Sequence, residues 1–306
     1  MTALLTSILL SLFPFIGAQV FIERGLGPEL FRSMNEPALE EGGLWKGGFA
    51  GGRTSMGRKC VPVKRKSREL TLVTYNVGAM GKYMEDSSGD IAKLIEESGA
   101  SLVSLNELDS CNARHGDYQL EKLSGLCDGA DFHFAGAFPF AGGSYGNGVL
   151  SKEKILRRAI LPLPKFDGYE PRSVAVAETA DCVFASVHLD VASGDAALLQ
   201  AEMINRWFEE NYSGYGKPVI LAGDMNSVPG SDVIERLSQR WTIISPAKPT
   251  YPSSGADRCI DYIMYMKDAV PVKTVLAEVI SSSKVADVQK ASDHLPVRVR
   301  ILWQKK

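Results

Sequence analysis

Cysteine and histidine, the residues on which most structural zinc sites and disulfide scaffolds depend, are sparse in this sequence. Its five cysteines, in 306 residues, show none of the short paired spacings found in zinc and redox sites. The four histidines include no HExxH motif. These absences make a zinc hydrolase the weakest functional alternative and predict no disulfide framework, although a single Cys111–Cys127 bridge in an oxidising compartment is left open.

A strong charge of either sign is also lacking, because 34 Lys and Arg residues face 36 Asp and Glu residues. Residues 1–69 contain ten basic and six acidic residues, which leaves 24 basic and 30 acidic residues in the rest of the chain. This slightly acidic remainder would not attract polyanions over a distance, so binding one would need a local basic groove or a bound metal. The hydrophobic fraction of 45% is typical of a globular protein with a buried core.

The first 18 residues are typical of an export signal. A nearly unbroken apolar run ends at Gly17 and Ala18, small residues that precede a predicted cleavage point before Gln19. The run is short and is interrupted by Pro14, so it does not predict a membrane span. No Lys or Arg precedes it, and a mis-assigned start codon or a membrane-proximal tail is the alternative. We therefore expect an exported protein that is periplasmic, on the cell surface or secreted.

The rest of the chain divides into an arm at residues 19–69 and a folded domain at residues 70–306. The arm is rich in glycine and basic residues and has neither helical nor strand periodicity. Apolar, β-branched runs predict strands at residues 70–77, 101–108, 132–138, 145–151, 172–178, 182–189, 217–224, 259–266 and 295–302. Helical periodicity predicts helices at residues 90–99, 195–211 and 232–239. Many strands with few helices between them exclude an alternating βα barrel and predict an α/β (α+β) protein with two packed sheets and outer helices.

Polar residues stand at the ends of several of these apolar runs. Asn76, Glu107 and Asp190 follow or close predicted strands, and Asp293 introduces the last one. Buried strands hold such side chains with little positional freedom, which a catalytic site requires. A carboxylate placed after buried aliphatic residues, such as Glu107, is costly unless it is paired or bound to a cation. Its oxygen atoms suit Mg²⁺, Mn²⁺ or Ca²⁺.

A second group of strand-end residues suggests acid–base chemistry. Asp224 and Asn226 are two residues apart, so both side chains lie on one face of an extended segment. One could accept a proton from water while the other donates a hydrogen bond to a phosphate oxygen. His188 and His294 also stand at strand ends, and Asp261, inside an apolar strand, is predicted to orient His294. The alternatives are that Asp224 and Asn226 form an Asx turn and that the two histidines have structural roles.

Taken together and in order, these motifs resemble those of the endonuclease/exonuclease/phosphatase superfamily, which includes deoxyribonuclease I and neutral sphingomyelinases. The resemblance runs from about Leu70 to Leu302 and is closest to exported bacterial members. It implies a four-layer αββα sandwich of two packed mixed β-sheets, with the site at one rim, and Mg²⁺-dependent or Mn²⁺-dependent hydrolysis of phosphate esters. The motifs are TLVTYNV, SLVSLNELD, YGNGVLSK, FASVHLD, ILAGDMNSVPGS, CIDYI and SDHLP.

The resemblance also implies roles for residues near a metal ion and the scissile phosphate. Glu107 matches the principal metal ligand, and Asn76 and Asp293 are implied to lie near the metal and the substrate. Arg172 matches an arginine that faces the phosphate, with a structural role as the alternative. The chain departs from the abasic-site enzymes of the superfamily at Gly78, where those enzymes have an acidic residue.

For the acid–base group, the resemblance implies that Asp224 and Asn226 position the attacking water and the phosphate. His188 and His294 are implied to contact phosphate oxygens and to share acid–base duty, with Asp261 orienting His294. Whether Asp224 or His294 is the base is left open.

The leading hypothesis is therefore a metal-dependent phosphodiesterase. A phosphomonoesterase acting on a phosphoinositide or sugar phosphate, and a catalytically silent binding or scaffold member of the same fold, are the alternatives. Nucleic acid, phosphoinositide and phospholipid headgroup all stay open as substrates, and the protein is expected to be a monomer without a stable protein partner. Substrate specificity is predicted to reside in loops at residues 112–118, 138–143 and 246–255.

Overall fold

The computed structural model describes residues 67–165 and 170–304, which form two β-sheets packed face to face. The predicted export signal at residues 1–18 and most of the predicted arm at residues 19–69 lie outside the described residues. None of the helices in the described part is long and apolar enough to cross a membrane.

Each sheet has six strands and contains both parallel and antiparallel pairs. The strands are β1 (Ser67–Asn76), β2 (Leu102–Ser110), β3 (Asp131–Phe140), β4 (Gly143–Ser151), β5 (Arg157–Leu163), β6 (Arg172–Glu178), β7 (Val183–His188), β8 (Val219–Asp224), β9 (Trp241–Ile243), β10 (Asp261–Met266), β11 (Lys273–Val279) and β12 (Val297–Gln304). The helices are α1 (Ser88–Ser98), α2 (Gln119–Leu126), α3 (Gly194–Tyr212), α4 (Asp232–Ser238) and α5 (Val288–Ala291), and Gly78–Met80 form a 3-10 turn. The strand orders are β11-β12-β1-β2-β4-β3 and β5-β6-β7-β8-β10-β9.

The sheets stack because their central strands are apolar on both faces. In β1, Leu70 and Leu72 enter the core between the sheets, whereas Val73 and Tyr75 point the other way and pack with α1 and α2. Strands buried on both faces show continuous apolar runs rather than strict alternation, as the sequence of β1 does.

The outer face of the second sheet is covered by α3 and α4, which complete the fourth layer. Phe208 and Trp241 are buried in this core, with ring centroids 5.0 Å apart. The side chain of Ser193 caps α3 by accepting a hydrogen bond from the backbone N–H of Ala196, and Ser231 caps α4 in the same way. The expectation of two packed mixed sheets with outer helices is confirmed.

The strand register brings several polar strand ends to one edge of the sandwich. β1 runs parallel to β2 with Asn76 opposite Asn106, and β7 runs parallel to β8 with His188 opposite Asp224. Asp261, the first residue of β10, lies opposite Asp224 on the other side of β8. Because parallel strands end at the same edge of a sheet, these side chains converge on one rim.

The last strand, β12, completes the first sheet by pairing with β1. The two strands are antiparallel, and Ser67 lies opposite Gln304. Just before β12, the hydroxyl of Ser292 donates to the backbone carbonyl of Asn76 at 2.7 Å. This contact places the residues that precede β12 beside the end of β1.

Each strand and helix predicted from the sequence is present, but β5, β9, β11, α2 and α5 were not predicted. β5 and β11 are edge strands whose residues are mostly only partly buried, and β5 contains Pro162. β9 has only three residues, and α5 only four. These elements are too short or too exposed to produce a clear apolar pattern.

The single disulfide left open by the sequence does not form. Cys111 is exposed, Cys127 is buried, and both are free thiols. Cys127 lies in the core beneath α1 and α2, and burial raises the pKa of its thiol to about 12. This side chain therefore acts as a small apolar core residue.

Gly223 allows close contact between β7 and β8 next to the polar rim. Its φ is 151°, and a Cβ atom there would lie 1.8 Å from the carbonyl oxygen of Val187. A side chain at this position would push apart the two strands that carry His188 and Asp224.

We therefore expect Gly223→Ala to lower the free energy of unfolding by about 3 kcal/mol, through steric overlap and backbone strain. Gly125→Ala is the matched control, because a Cβ in that part of α2 would meet no atom within 4 Å. The control should be neutral or stabilising by about 0.5–1 kcal/mol. Urea unfolding of both variants measures the difference, and equal stabilities would contradict the steric argument.

Candidate active site

All of the residues predicted from the sequence to form the site lie at one rim of the paired sheets. They are Asn76, Glu107, Arg172, His188, Asp224, Asn226, Asp261, Asp293 and His294. Hydrogen bonds and ion pairs link them into one network that includes Lys82 as well. Both sheets contribute, so the site exists only when the sandwich is assembled.

His294 and Asp261 form the pair expected from the sequence. Nδ1 of His294 lies 2.9 Å from Oδ2 of Asp261, which also accepts a hydrogen bond from the hydroxyl of Thr250 at 2.6 Å. Nε2 of His294 faces Oδ2 of Asp224 at 3.6 Å, and the ring of Tyr251 packs against the imidazole with centroids 4.7 Å apart. Burial disfavours the imidazolium, but the two carboxylates outweigh it and raise the pKa of His294 to about 9.

Asp224 lies at the centre of the network. Its Oδ2 accepts a hydrogen bond from the amide of Asn76 at 3.0 Å and lies 3.7 Å from Nε2 of His188, and its Oδ1 accepts the backbone N–H of Asn226 at 2.8 Å. Burial, together with the negative charge of Asp261, raises the pKa of Asp224 to about 7. A carboxyl group with this pKa can both accept and release a proton near neutral pH.

His188 has the opposite protonation behaviour to His294. Arg172 approaches its Nδ1 at 3.2 Å, and the amide of Asn226 lies 2.9 Å from its Nε2. Burial and the positive charges of Arg172 and His294 lower the pKa of His188 well below its usual value. Arginine and the amide nitrogen of Asn226 can only donate, so donors face both ring nitrogens and the neutral ring is favoured over the imidazolium.

Glu107 reaches the rim through a β-bulge. The pairing of β2 with β4 shifts register between Leu105 and Leu108, and Glu107 has a φ of 58°. A positive φ is uncommon for glutamate, and bulges of this kind redirect a side chain beside functional sites. Oε1 of Glu107 accepts a hydrogen bond from the amide of Asn76 at 3.1 Å. The sequence identified the residue but gave no sign of the bulge.

Lys82 is a site residue that the sequence analysis missed. Its Nζ lies 3.2 Å from Oδ2 of Asp293 and 4.0 Å from Oε2 of Glu107. Lys82 belongs to the loop after the 3-10 turn, outside any strand. A search for polar residues at the ends of apolar runs therefore could not identify it. Its closeness in sequence to Asn76 was the only available signal.

The oxygen atoms of Glu107 and Asp293 suit a hard divalent cation. Both carboxylates are partly accessible, and the ammonium of Lys82 shows that the pair already attracts positive charge. Asp224, Asp261 and His294 form a second compact group, with ligand atoms within 4.8 Å of one another. Most of those atoms already take part in the hydrogen bonds and ion pairs described above, so the second group fits acid–base work better than metal binding.

Two of the predicted specificity loops meet beside the site. The loop at residues 112–118 is joined to the loop at residues 138–143 by a backbone hydrogen bond of 2.8 Å from Ala113. The guanidinium of Arg114 lies 4.8 Å from the centre of the Phe140 ring. The third predicted loop contributes the tyrosine that packs on His294.

A family model described as "Endonuclease/Exonuclease/phosphatase family" matches residues 73–294, which span the whole rim from β1 to His294. The chain belongs to this family. Its members are phosphoesterases, so membership supports hydrolase activity on phosphate esters. No curated protein sequence is significantly similar to this chain.

Several solved structures share the fold of this family member. An endonuclease/exonuclease/phosphatase from Beutenbergia cavernae is 20% identical, with a TM-score of 0.63, covering 78% of this chain and 72% of its own. A mannosyl-6-phosphatase from Bacteroides thetaiotaomicron is 18% identical, with a TM-score of 0.57, covering 76% of this chain and 99% of its own. ANGEL2, a 2',3'-cyclic phosphatase, is 15% identical, with a TM-score of 0.57 and coverages of 78% and 98%.

The lowered pKa of His188 predicts a pH effect on stability. The unfolded chain takes up a proton on this histidine below about pH 6.5, whereas the folded family member does not, so acid favours unfolding. Below pH 6.5, the free energy of unfolding of the wild-type protein should therefore fall by up to about 1.4 kcal/mol more per pH unit than that of His188→Gln. Urea unfolding in chelator at pH 7.5, 6.0 and 5.0 measures the free energy of unfolding of both proteins. A difference between them that stays the same at all three pH values would contradict the prediction.

Proposed function

We propose that this protein is a divalent-metal-dependent phosphodiesterase in which a water molecule attacks phosphorus directly. The observation that carries the proposal is the position of one buried carboxylate, Asp224, between two histidines of opposite protonation preference. His294 lies 3.6 Å and His188 3.7 Å from the same oxygen atom. A site of this kind can remove a proton from water and offer two hydrogen-bond donors to a phosphate.

Asp224 is assigned as the base. Its raised pKa makes it a stronger base than an ordinary carboxylate at neutral pH, whereas His294 is already protonated there. The imidazolium of His294 is held by Asp261 and donates from Nε2 to a non-bridging phosphate oxygen. It can also pass its proton to the leaving oxygen.

His188 is assigned to the phosphate as a neutral donor. Its Nε2 faces the same oxygen of Asp224 as Nε2 of His294, and the ring donates to the phosphate from this nitrogen when its proton is there. The amide of Asn226, beside this nitrogen, is available to a second phosphate oxygen once substrate is bound. Donors that are already in place before substrate arrives stabilise the developing charge without reorganisation.

Glu107 and Asp293 are assigned to Mg²⁺ or Mn²⁺, which would neutralise charge on the phosphate during the reaction. Asn76 supports this assignment by tying Glu107 to Asp224 through its amide nitrogen. Its oxygen accepts the backbone N–H of Gly78 at 3.1 Å, so a metal contact to Asn76 would use the remaining lone pair of that oxygen.

The charges around the site favour a diester, which carries one negative charge, over a monoester, which carries two. The nearby cations Arg172 and Lys82 are each paired with carboxylates, which leaves little free positive charge for a dianion. The similarity of this protein's fold to that of a 2',3'-cyclic phosphatase is consistent with a diester substrate. Similarity to the mannosyl-6-phosphatase supports the second candidate, a sugar phosphomonoesterase.

Two further proposals concern the whole chain. Residues 1–18 support export, because of their apolar run and the small residues that follow it. A catalytically silent binding role is disfavoured, because each predicted acid–base position is filled by a residue capable of the chemistry.

Hydrolysis assays with the purified protein test the proposed function. We expect turnover with Mg²⁺ or Mn²⁺, none with chelator, and a loss of about 10²–10⁴-fold in His294→Ala, as is usual for acid–base groups. The panel is supercoiled DNA, RNA, a 2',3'-cyclic nucleotide, sphingomyelin, a phosphoinositide and a hexose 6-phosphate.

His133→Ala is the matched control, because this buried histidine contacts the carbonyl oxygen of Ala159 away from the site. It should retain activity. Turnover that survives chelator, or that His294→Ala leaves unchanged, would reject the proposed mechanism. Faster turnover of the hexose phosphate than of any diester would select the second candidate.

A further inference from the structure

Lys82 occupies a position that the hydrolytic mechanism does not require. Its ammonium lies between the carboxylates of Asp293 and Glu107, at 3.2 and 4.0 Å. The lysine side chain is 42% exposed, whereas those of Asp293 and Glu107 are 13% and 20% exposed. The ammonium therefore has a path to solvent, while the carboxylates are held in place at the rim.

Gly78 allows the lysine to reach this position. Its φ of 53° lies in the left-handed region, and a Cβ atom there would be 2.4 Å from Cγ of Lys82 and 3.0 Å from Oδ1 of Asp293. The backbone N–H of Gly78 donates to Asn76, which fixes the turn beneath the lysine. Because the aliphatic part of Lys82 passes directly over Gly78, a side chain at position 78 and the observed lysine conformation exclude each other.

We propose that Lys82 is a tethered cation that competes with the divalent metal for Glu107 and Asp293 and thereby sets the metal affinity of the site. The inference rests on the proposed function in one respect, the assignment of the metal to these two carboxylates. It goes beyond that function by assigning control of metal occupancy to a lysine and a glycine in the loop after β1.

The charges explain why the two cations compete. Two carboxylates and one ammonium carry a net charge of minus one, and the ammonium already neutralises half of the pair. A divalent ion bound to the same oxygens would lie within a few ångströms of the ammonium, where like charges repel strongly even when partly screened. The lysine must therefore swing towards solvent when the metal binds, and its flexible, half-exposed side chain permits this movement.

Manganese binding to the full-length protein, followed by electron paramagnetic resonance, tests the proposal without relying on activity. Lys82→Met keeps an unbranched side chain but removes the charge, and it should bind Mn²⁺ about tenfold more tightly than wild type, or better. Lys82→Arg keeps the charge and should bind close to the wild-type affinity. Glu107→Gln, which removes a carboxylate, should weaken binding in both the wild-type and the Lys82→Met backgrounds.

Thermal unfolding gives a second measurement. In chelator, Lys82→Met should unfold at a lower temperature than wild type, because Glu107 and Asp293 lose their shared counter-ion. Saturating Mn²⁺ should abolish that difference, since the metal then neutralises both carboxylates in either protein. The inert control Arg206→Met removes a charge from an exposed part of α3 and should show neither effect.

The outcomes separate this inference from the proposed function. Unchanged or weaker Mn²⁺ binding in Lys82→Met would overturn the competition. An absence of saturable Mn²⁺ binding in every variant would overturn the metal assignment and the inference together. Tighter binding in Lys82→Met, combined with no hydrolysis of any phosphate ester, would support the role of Lys82 while rejecting the proposed function.

Discussion

The site depends on the burial of one carboxylate, that of Asp224, where the two sheets meet. A buried ionisable group is costly unless polar partners surround it. Here those partners come from both sheets: Asn76 from β1, His188 from β7, and His294 from the segment before β12. The need to satisfy one desolvated group therefore fixes the relative position of strands that are far apart in sequence. Burial and the negative charge of Asp261 raise the pKa of Asp224, whereas the contacts with His294 and Asn76 lower it.

The two histidines show how the surroundings divide roles between identical side chains. His294 has carboxylates at both nitrogens and favours the charged form, whereas His188 has an arginine at one nitrogen and favours the neutral form. The surrounding residues of the protein itself favour these forms before any substrate is bound. Such preorganisation is the main way in which enzymes stabilise charge that develops during a reaction.

Much of the fold and of the site could be predicted from the sequence because both depend on buried strands. The apolar runs of β1, β2, β7, β8, β10 and β12 located the central strands, and the polar residues at their ends located Asn76, Glu107, His188 and Asp224. What escaped prediction depends on local backbone geometry or on exposed segments. The bulge that redirects Glu107 has no sequence signal, the path of Lys82 over Gly78 depends on a three-dimensional turn, and edge strands such as β5 and β11 lack a continuous apolar pattern.

The pairing of the last strand, β12, with β1 has a consequence for synthesis. β1 lies between β12 and β2; β12 pairs with its residues 67–74 and β2 with its residues 72–76. On the ribosome, β1 emerges first and β12 last of the twelve strands, so the first sheet stays incomplete until almost the entire domain has been translated. Because His294 lies just before β12, the nascent chain cannot assemble the candidate site early. The candidate site can therefore form only after the last strand of the described domain has been translated.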